Sequence, residues 1–278
     1  VSVPAHIDVL HLGRPKVIGV WRVDDVLVDP GPAVSLPTLL DALGDWVPSR
    51  ILLTHIHLDH AGGTGTLAAR WPDVEVWVHE RGAPHLVDPS KLLASAQRIY
   101  GDEMATLWGE ILPVPAERLR VLSGGESVEG FDVAYTPGHA SHHVAYRHAR
   151  TGWAFTGDVA GIRIDPHDFI LPPTPPPDID IELWHRSIDT LQAWEPITIA
   201  PTHFGPSRNA ADHLERLHVA LDGWAELARH VDGEVFAGAV RAAEASALPL
   251  AACDALEQGM AAANMWPGLH RYWSKKAG

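Results

Sequence analysis

Thr54-His55-Ile56-His57-Leu58-Asp59-His60-Ala61-Gly62-Gly63 places four potential metal ligands, His55, His57, Asp59 and His60, within six positions. They follow Ile51-Leu52-Leu53, an apolar run short enough for a buried strand, so the pattern predicts ligands where a strand ends. If the backbone stays extended there, His55, His57 and Asp59 point to one side, because side chains alternate with period two. His60 breaks the alternation just before Gly62 and Gly63, which let the chain turn sharply into a helix. A pair of imidazoles and an Asp-His pair can then face two ions a few ångströms apart. A lone histidine at a strand terminus reads as an ordinary polar group; ligand-type residues this dense beside two glycines read as a metal site.

Composition narrows the chemistry. At 278 residues the chain can form one large domain, or one domain with an appendage. Hydrophobic residues make up 46% and mean hydropathy is −0.02, the balance of an ordinary globular protein. Lys and Arg total 21 against 35 Asp and Glu, a net charge of −14. That sign opposes binding to a phosphate backbone by counterion release, so nucleic acid is not expected as a substrate. The single cysteine, Cys253, excludes an intrachain disulfide and a cysteine-based zinc ribbon, and reads as a small residue of an alanine-rich helix. Neither a leader pattern nor an apolar run of ~18 residues stands in the sequence, so a cytoplasmic location without membrane contact is expected. Of the 18 histidines, those outside the motifs, among them His11, His85, His213 and His218, read as surface or packing residues.

Residues 17–29 read as two strands joined at Asp24-Asp25 and ending in Asp29-Pro30-Gly31. Leu36, Leu39, Leu40 and Leu43 predict a short helix capped by Ser35, residues 64–71 a second helix, and 74–78 a strand. Residues 90–112 carry helical spacing interrupted at Gly101, a helical insertion whose Tyr100 and Trp108 are read first as packing and second as pocket lining. Strands are again expected over 114–136, with Gly124-Gly125 as a hairpin turn, and over 144–146 and 153–155. Leu171-Pro172-Pro173-Thr174-Pro175-Pro176-Pro177 cannot form helix or central strand and predicts a stiff loop at the site mouth. A helix is expected from Asp178 and a last strand over 197–200. Beyond 206 only helical periodicity remains, which divides the chain into a catalytic domain over 1–206 and a helical C-terminal cap over 207–278.

The His55-x-His57-x-Asp59-His60 run followed by Gly-Gly resembles the signature of the metallo-β-lactamase superfamily. The resemblance implies an α/β fold, a four-layered αββα sandwich, here with the helical C-terminal extension. Carried over residue by residue, it implies one ion on His55, His57 and His139, a second on Asp59, His60 and His203, and Asp158 bridging them. His139 follows Thr136-Pro137-Gly138, Asp158 follows Thr156-Gly157, and His203 follows the last expected strand. Asp29 resembles the carboxylate that lies beneath the metal site and orients a ligand histidine; a plain turn residue is the competing reading. His142 and His143 are read as hydrogen-bonding behind the ligands.

Imidazoles and carboxylates without thiolates suit zinc first, with iron or manganese also admitted. Two divalent ions held ~3.5–4 Å apart acidify a shared water enough to supply hydroxide near neutral pH. Asp59 is placed to orient that nucleophile and help return a proton. The expected activity is a dinuclear metallo-hydrolase acting on an ester, thioester or lactone in a small molecule. Two departures weaken a closer assignment. Hydroxyacylglutathione hydrolases share a helical C-terminal domain but carry a Gly-Gly-Cys-Gly-Arg-like stretch where this chain has residues 159–166, and quorum-signal lactonases often carry a tyrosine where Gly161 stands. Rival readings are a mononuclear iron enzyme like the persulfide dioxygenases, a phosphodiesterase of the same fold, and a non-enzymatic metal-binding module, the last disfavoured because structural zinc sites are closed by four protein ligands.

Overall fold

Six short strands build the first sheet, and their apolar runs explain its position between two layers. The computed structural model describes residues 3–277. The strands are β1 (Ala5–Asp8), β2 (Gly19–Val23), β3 (Val26–Val28), β4 (Arg50–Leu52), β5 (Glu75–His79) and β6 (Leu119–Leu122), paired in that order. β1 to β3 are antiparallel and β3 to β6 parallel. The parallel half needs crossovers, supplied by α1 (Leu36–Leu43), α2 (Leu58–Ala61), α3 (Thr64–Arg70), α4 (Ala83–Val87), α5 (Ser90–Tyr100) and α6 (Met104–Leu107). Within β3 to β5, Val26, Val28, Leu52 and Trp77 pack into the interior between two sheets. Leu27, Ile51, Val76 and Val78 pack on the opposite face, beneath the helices. Both faces of these strands are buried, which is why they read as unbroken apolar runs.

The second sheet joins β7 (Ser127–Val128), β8 (Phe131–Tyr135), β9 (Val144–His148) and β10 (Trp153–Phe155); a two-stranded ribbon of β11 (Ile162–Arg163) and β12 (Ile170–Leu171) follows. After α7 (Ile181–Ala193), β13 (Thr198–Ala200) adds to β10 in parallel. Phe131, Val133, Val144, Tyr146 and Phe155 meet Trp21, Leu52 and Trp77 in the inter-sheet core. Helices outside both sheets complete the four layers.

Three local expectations are corrected. Gly124-Gly125 is not a hairpin turn: β6 belongs to the first sheet and β7 to the second, so the glycines carry the chain between sheets. The hairpin lies at Glu129-Gly130, both at positive φ, where β7 turns into β8. Ser35 does not cap α1 through its side chain; its hydroxyl instead lies 3.3 Å from His11 Nδ1. The helix expected from Asp178 begins at Ile181, capped by the Asp180 carboxylate, which accepts from the Leu183 amide at 2.9 Å.

Four helices end the chain: α8 (Ala210–His230), α9 (Gly233–Ala247), α10 (Leu250–Gly259) and α11 (Ala262–Ala277). Leu214, Leu217 and Leu221 of α8 share one apolar cluster with Trp184, Ile188 and Leu191 of α7. Pro267 lies inside α11. No helix among the described residues is long and apolar enough to cross a membrane.

Candidate metal centre

The centre lies at one edge of the sandwich, where strands from both sheets end. Asp29 directly follows β3; His55 lies just beyond β4, His139 beyond β8, Asp158 beyond β10 and His203 beyond β13. His57 precedes α2, and Asp59 and His60 lie within it. The extended alternation anticipated from the motif therefore stops at His57. Because the helix begins at Leu58, Asp59 turns away from His55 and His57 and joins His60 instead.

All seven residues converge, in two groups. His55, His57 and His139 form one; Asp59, His60, Asp158 and His203 form the other, with the ligand-type atoms of each group within 4.8 Å of one another. Asp158 touches both, its Oδ2 at 3.4 Å from His139 Nε2 and its Oδ1 at 3.2 Å from His60 Nε2.

The outward imidazole nitrogens show how each ring is held. His139 Nδ1 lies 2.8 Å from the Pro173 carbonyl and His203 Nδ1 2.6 Å from that of Val17, so both nitrogens carry the proton. His60 Nδ1 faces Asp29 Oδ2 at 2.9 Å, and His55 Nδ1 faces the Thr54 hydroxyl at 3.1 Å. That hydroxyl donates onward to Asp29 Oδ2 at 2.7 Å, leaving its lone pairs for His55. With the outer nitrogens protonated, the inner ones present lone pairs to the centre. His55 Nε2 and His139 Nε2 each stand 3.0 Å from His57 Nδ1, and His60 Nε2 is buried without a hydrogen-bond partner. Lone pairs converging this closely repel unless a cation sits among them, so the residues fit divalent metals.

The electrostatics agree. Burial and the neighbouring imidazoles hold His55 well below the usual histidine range, and burial with His139 brings His57 down to about 4. Burial works against charge at His60 too, yet Asp158, Asp59 and Asp29 outweigh it and hold that group well above its ordinary value. Burial opposes ionisation of Asp59, but His60 and His203 keep its carboxyl well below the carboxylate range. The second group thus behaves as a concentration of negative charge that requires a positive partner, a role a proton or a metal ion can fill.

Asp29 lies where the orienting role would place it, its Oδ2 facing His60 Nδ1. Its Oδ1 accepts from the Thr54 amide at 2.8 Å, and its Oδ2 also accepts from the Thr202 hydroxyl at 2.9 Å, next to His203. His143 packs behind His55, ring centroids 4.9 Å apart, with Nδ1 at 2.9 Å from the Thr136 hydroxyl. His142 lies farther out on the cavity wall.

A cavity of about 280 Å³ opens onto the centre, with His57, Asp59 and Asp158 in its lining. Leu92, Ala96, Ile99 and Tyr100 of α5, Trp108 and Met260 give it apolar walls, and residues 175–177 of the proline-rich segment close one side. Tyr100 packs edge-on against Trp108 at 5.1 Å, and Trp108 stacks on His11 at 5.7 Å.

A sequence profile of the metallo-beta-lactamase superfamily matches residues 24–203, the span that carries all seven converging side chains. The chain belongs to the metallo-beta-lactamase superfamily. A hydroxyacylglutathione hydrolase from Xanthomonas euvesicatoria pv. vesicatoria is 36% identical over 133 residues, 48% of this chain; the match spans only 40% of that relative. A metallo-beta-lactamase fold-containing protein from Sulfurisphaera tokodaii is 28% identical over 203 residues, 69% of this chain and 74% of the relative. The crystal structure of an archaeal metallo-beta-lactamase superfamily protein from Sulfolobus tokodaii superposes with a TM-score of 0.72 at 21% identity, covering 97% of this chain and 99% of the other, which shows a common fold.

Several lining residues of this superfamily member were invisible in the sequence. Arg81, His85 and Lys91 carried no motif, and Met260 reaches the cavity from the helical tail. Tyr100 and Trp108 were read first as packing; they do pack, and the cavity wall is where they do it.

Proposed function

We propose that the chain is a metal-dependent hydrolase that cleaves an ester, thioester or lactone in a small molecule. The observation that carries this reading is the convergence of inward-facing imidazole nitrogens and two carboxylates on the floor of a partly apolar cavity. His55, His57 and His139 would hold one divalent ion, Asp59, His60 and His203 a second, and Asp158 would contact both, with zinc favoured by the donor set and iron or manganese compatible with it. Such ions supply Lewis acidity and an acidified water when bound.

The chain's own groups account for the rest. Asp59 is the more accessible of the two carboxylates, its side chain 16% exposed against 3% for Asp158, so it is the one that can orient water and accept and return its proton. Tyr100 is the only phenol in the cavity lining among the described residues. Burial and the charges of Asp59 and Asp158 push it above its ordinary value, so it stays protonated and donates to the oxygen on which charge develops. The helices of 207–278 act as a cap that brings Gly259 and Met260 to the wall. Within the bond classes, the relative named hydroxyacylglutathione hydrolase supports a thioester.

The test is metal analysis of protein purified without added metal, followed by a panel of esters, thioesters, lactones and phosphodiesters. Wild type should hydrolyse a member of the first three classes, with His57→Ala and Asp158→Ala losing most of that activity. Equal inactivity of all three proteins on every class would overturn the reading.

A further inference from the structure

Helix α5 lays a graded stripe along the cavity. Lys91, Leu92, Ser95, Ala96, Ile99 and Tyr100 all line it, a spacing of three to five residues between successive pairs that keeps one helical face turned inward. At the C-terminal end, Tyr100 stands within electrostatic reach of Asp59 and Asp158. The middle is aliphatic. At the N-terminal end is Lys91, and Arg81 from the segment after β5 lines the same cavity. With a rise of 1.5 Å per residue, the nine steps from Lys91 to Tyr100 separate the cationic and reactive ends by about 13 Å along the helix.

These cations are available. Among the described residues neither is held in an ion pair: Arg81 lies over the Tyr135 ring at 5.8 Å, and Asp88, the acid nearest Lys91 in sequence, accepts from the Ser90 amide. Among the described residues Asp178 is the one carboxylate in the lining outside the metal centre, and it is engaged by the hydroxyl of Ser141 at 2.5 Å and its amide at 3.3 Å. Two unpaired cations on a chain of net charge −14 form a local exception to its field.

We infer that the substrate carries a carboxylate or phosphate separated from its scissile carbonyl by an apolar spacer, and that Lys91 and Arg81 bind that anion. The inference rests on the hydrolase reading for its reactive end. The spacer lies against Leu92, Ala96 and Ile99, and the ruler length sets it on the order of 10 Å.

Calorimetric titration of the metal-containing protein with octanedioate, 8-hydroxyoctanoate and 8-phosphonooxyoctanoate tests it. Octanedioate and 8-phosphonooxyoctanoate, which carry an anionic group at each end, should bind at least ~10-fold more tightly than the hydroxy acid, and the gap should shrink below ~3-fold in Arg81→Met/Lys91→Met. The ranking of these two probes identifies the anion. Equal binding of the three probes, a preference that survives in the double variant, or no binding at all would overturn the inference. Melting temperature serves as the folding control, and both side chains are exposed. The outcomes separate from those of the hydrolysis panel: hydrolysis without a preference for the probes anionic at both ends sinks only this inference, and that preference without hydrolysis sinks only the reactive assignment.

Discussion

Asp29 Oδ2 faces His60 Nδ1 at 2.9 Å from beneath the centre, and the same oxygen takes hydrogen bonds from Thr54 and Thr202. One buried carboxylate therefore ties together the two strand ends that carry His55 and His203 and the helix that carries His60. Its backbone is at φ 48°, a conformation that asparagine tolerates. Asp29→Asn should keep the turn but remove the charge that orients His60. Metal affinity, measured by competition with a chromogenic chelator, should fall about 10- to 100-fold. Unchanged affinity would mean that Asp29 shapes only the turn.

Gly138 explains how His139 reaches its place. Its φ is +134°, and a Cβ there would lie 2.4 Å from the Cα of Trp184 in α7. The Asp180 amide also donates to the Gly138 carbonyl at 2.9 Å, locking the start of α7 against this turn. Gly138→Ala must displace helix or turn, and the expected loss is above about 2 kcal/mol of stability. Metal content per chain should drop with it, because His139 moves. A variant with native melting temperature and full metal content would contradict this account.

A pH effect is expected away from the centre. His213 of α8 is 3% exposed and donates from Nε2 to the Ala160 carbonyl at 2.7 Å. Burial outweighs that hydrogen bond and lowers its pKa from 6.5 to about 4. The unfolded chain then takes up a proton at higher pH than the folded one, so stability is full above about 6.5 and falls as pH drops towards 4. The contribution is at most about 3 kcal/mol. His213→Gln keeps a donor for Ala160 and removes the titration. Urea unfolding at pH 7 and pH 4.5 should show a smaller acid loss in the variant; equal losses would assign the acid sensitivity elsewhere.

What the sequence disclosed, and what it hid, follows from the range of each interaction. The His55 to His60 run is local, with strand, ligands and turn within a dozen residues, and it was legible at once. His139, Asp158 and His203 were legible through the family resemblance, which their places after a strand and a short turn fit. The start of α2 inside the motif was not, since the bond that closes its first turn, from the Ala61 amide to the His57 carbonyl at 2.9 Å, is backbone and leaves no composition signal. Gly124-Gly125 looked like a hairpin because two positive-φ residues suit one; only the pairing of β6 with β5 reveals a passage between sheets. Met260 reaches the cavity across some two hundred residues from His57, and no periodicity records such a contact.

Tyr100 offers the sharpest separation of catalysis from packing. Its ring is fixed edge-on by Trp108 at 5.1 Å, so Tyr100→Phe removes the hydroxyl while the aromatic contact survives. If the phenol donates to the developing oxyanion, kcat should fall about 10- to 1000-fold with KM changed little, since the interaction strengthens only as charge appears. Metal content and melting temperature should match wild type. A series of substrates with leaving groups of graded acidity sharpens the reading: loss of a donor to the acyl oxygen slows all of them alike, whereas loss of a donor to the leaving group slows the poor leaving groups most. An unchanged kcat across the series would return Tyr100 to the cavity wall as a packing residue.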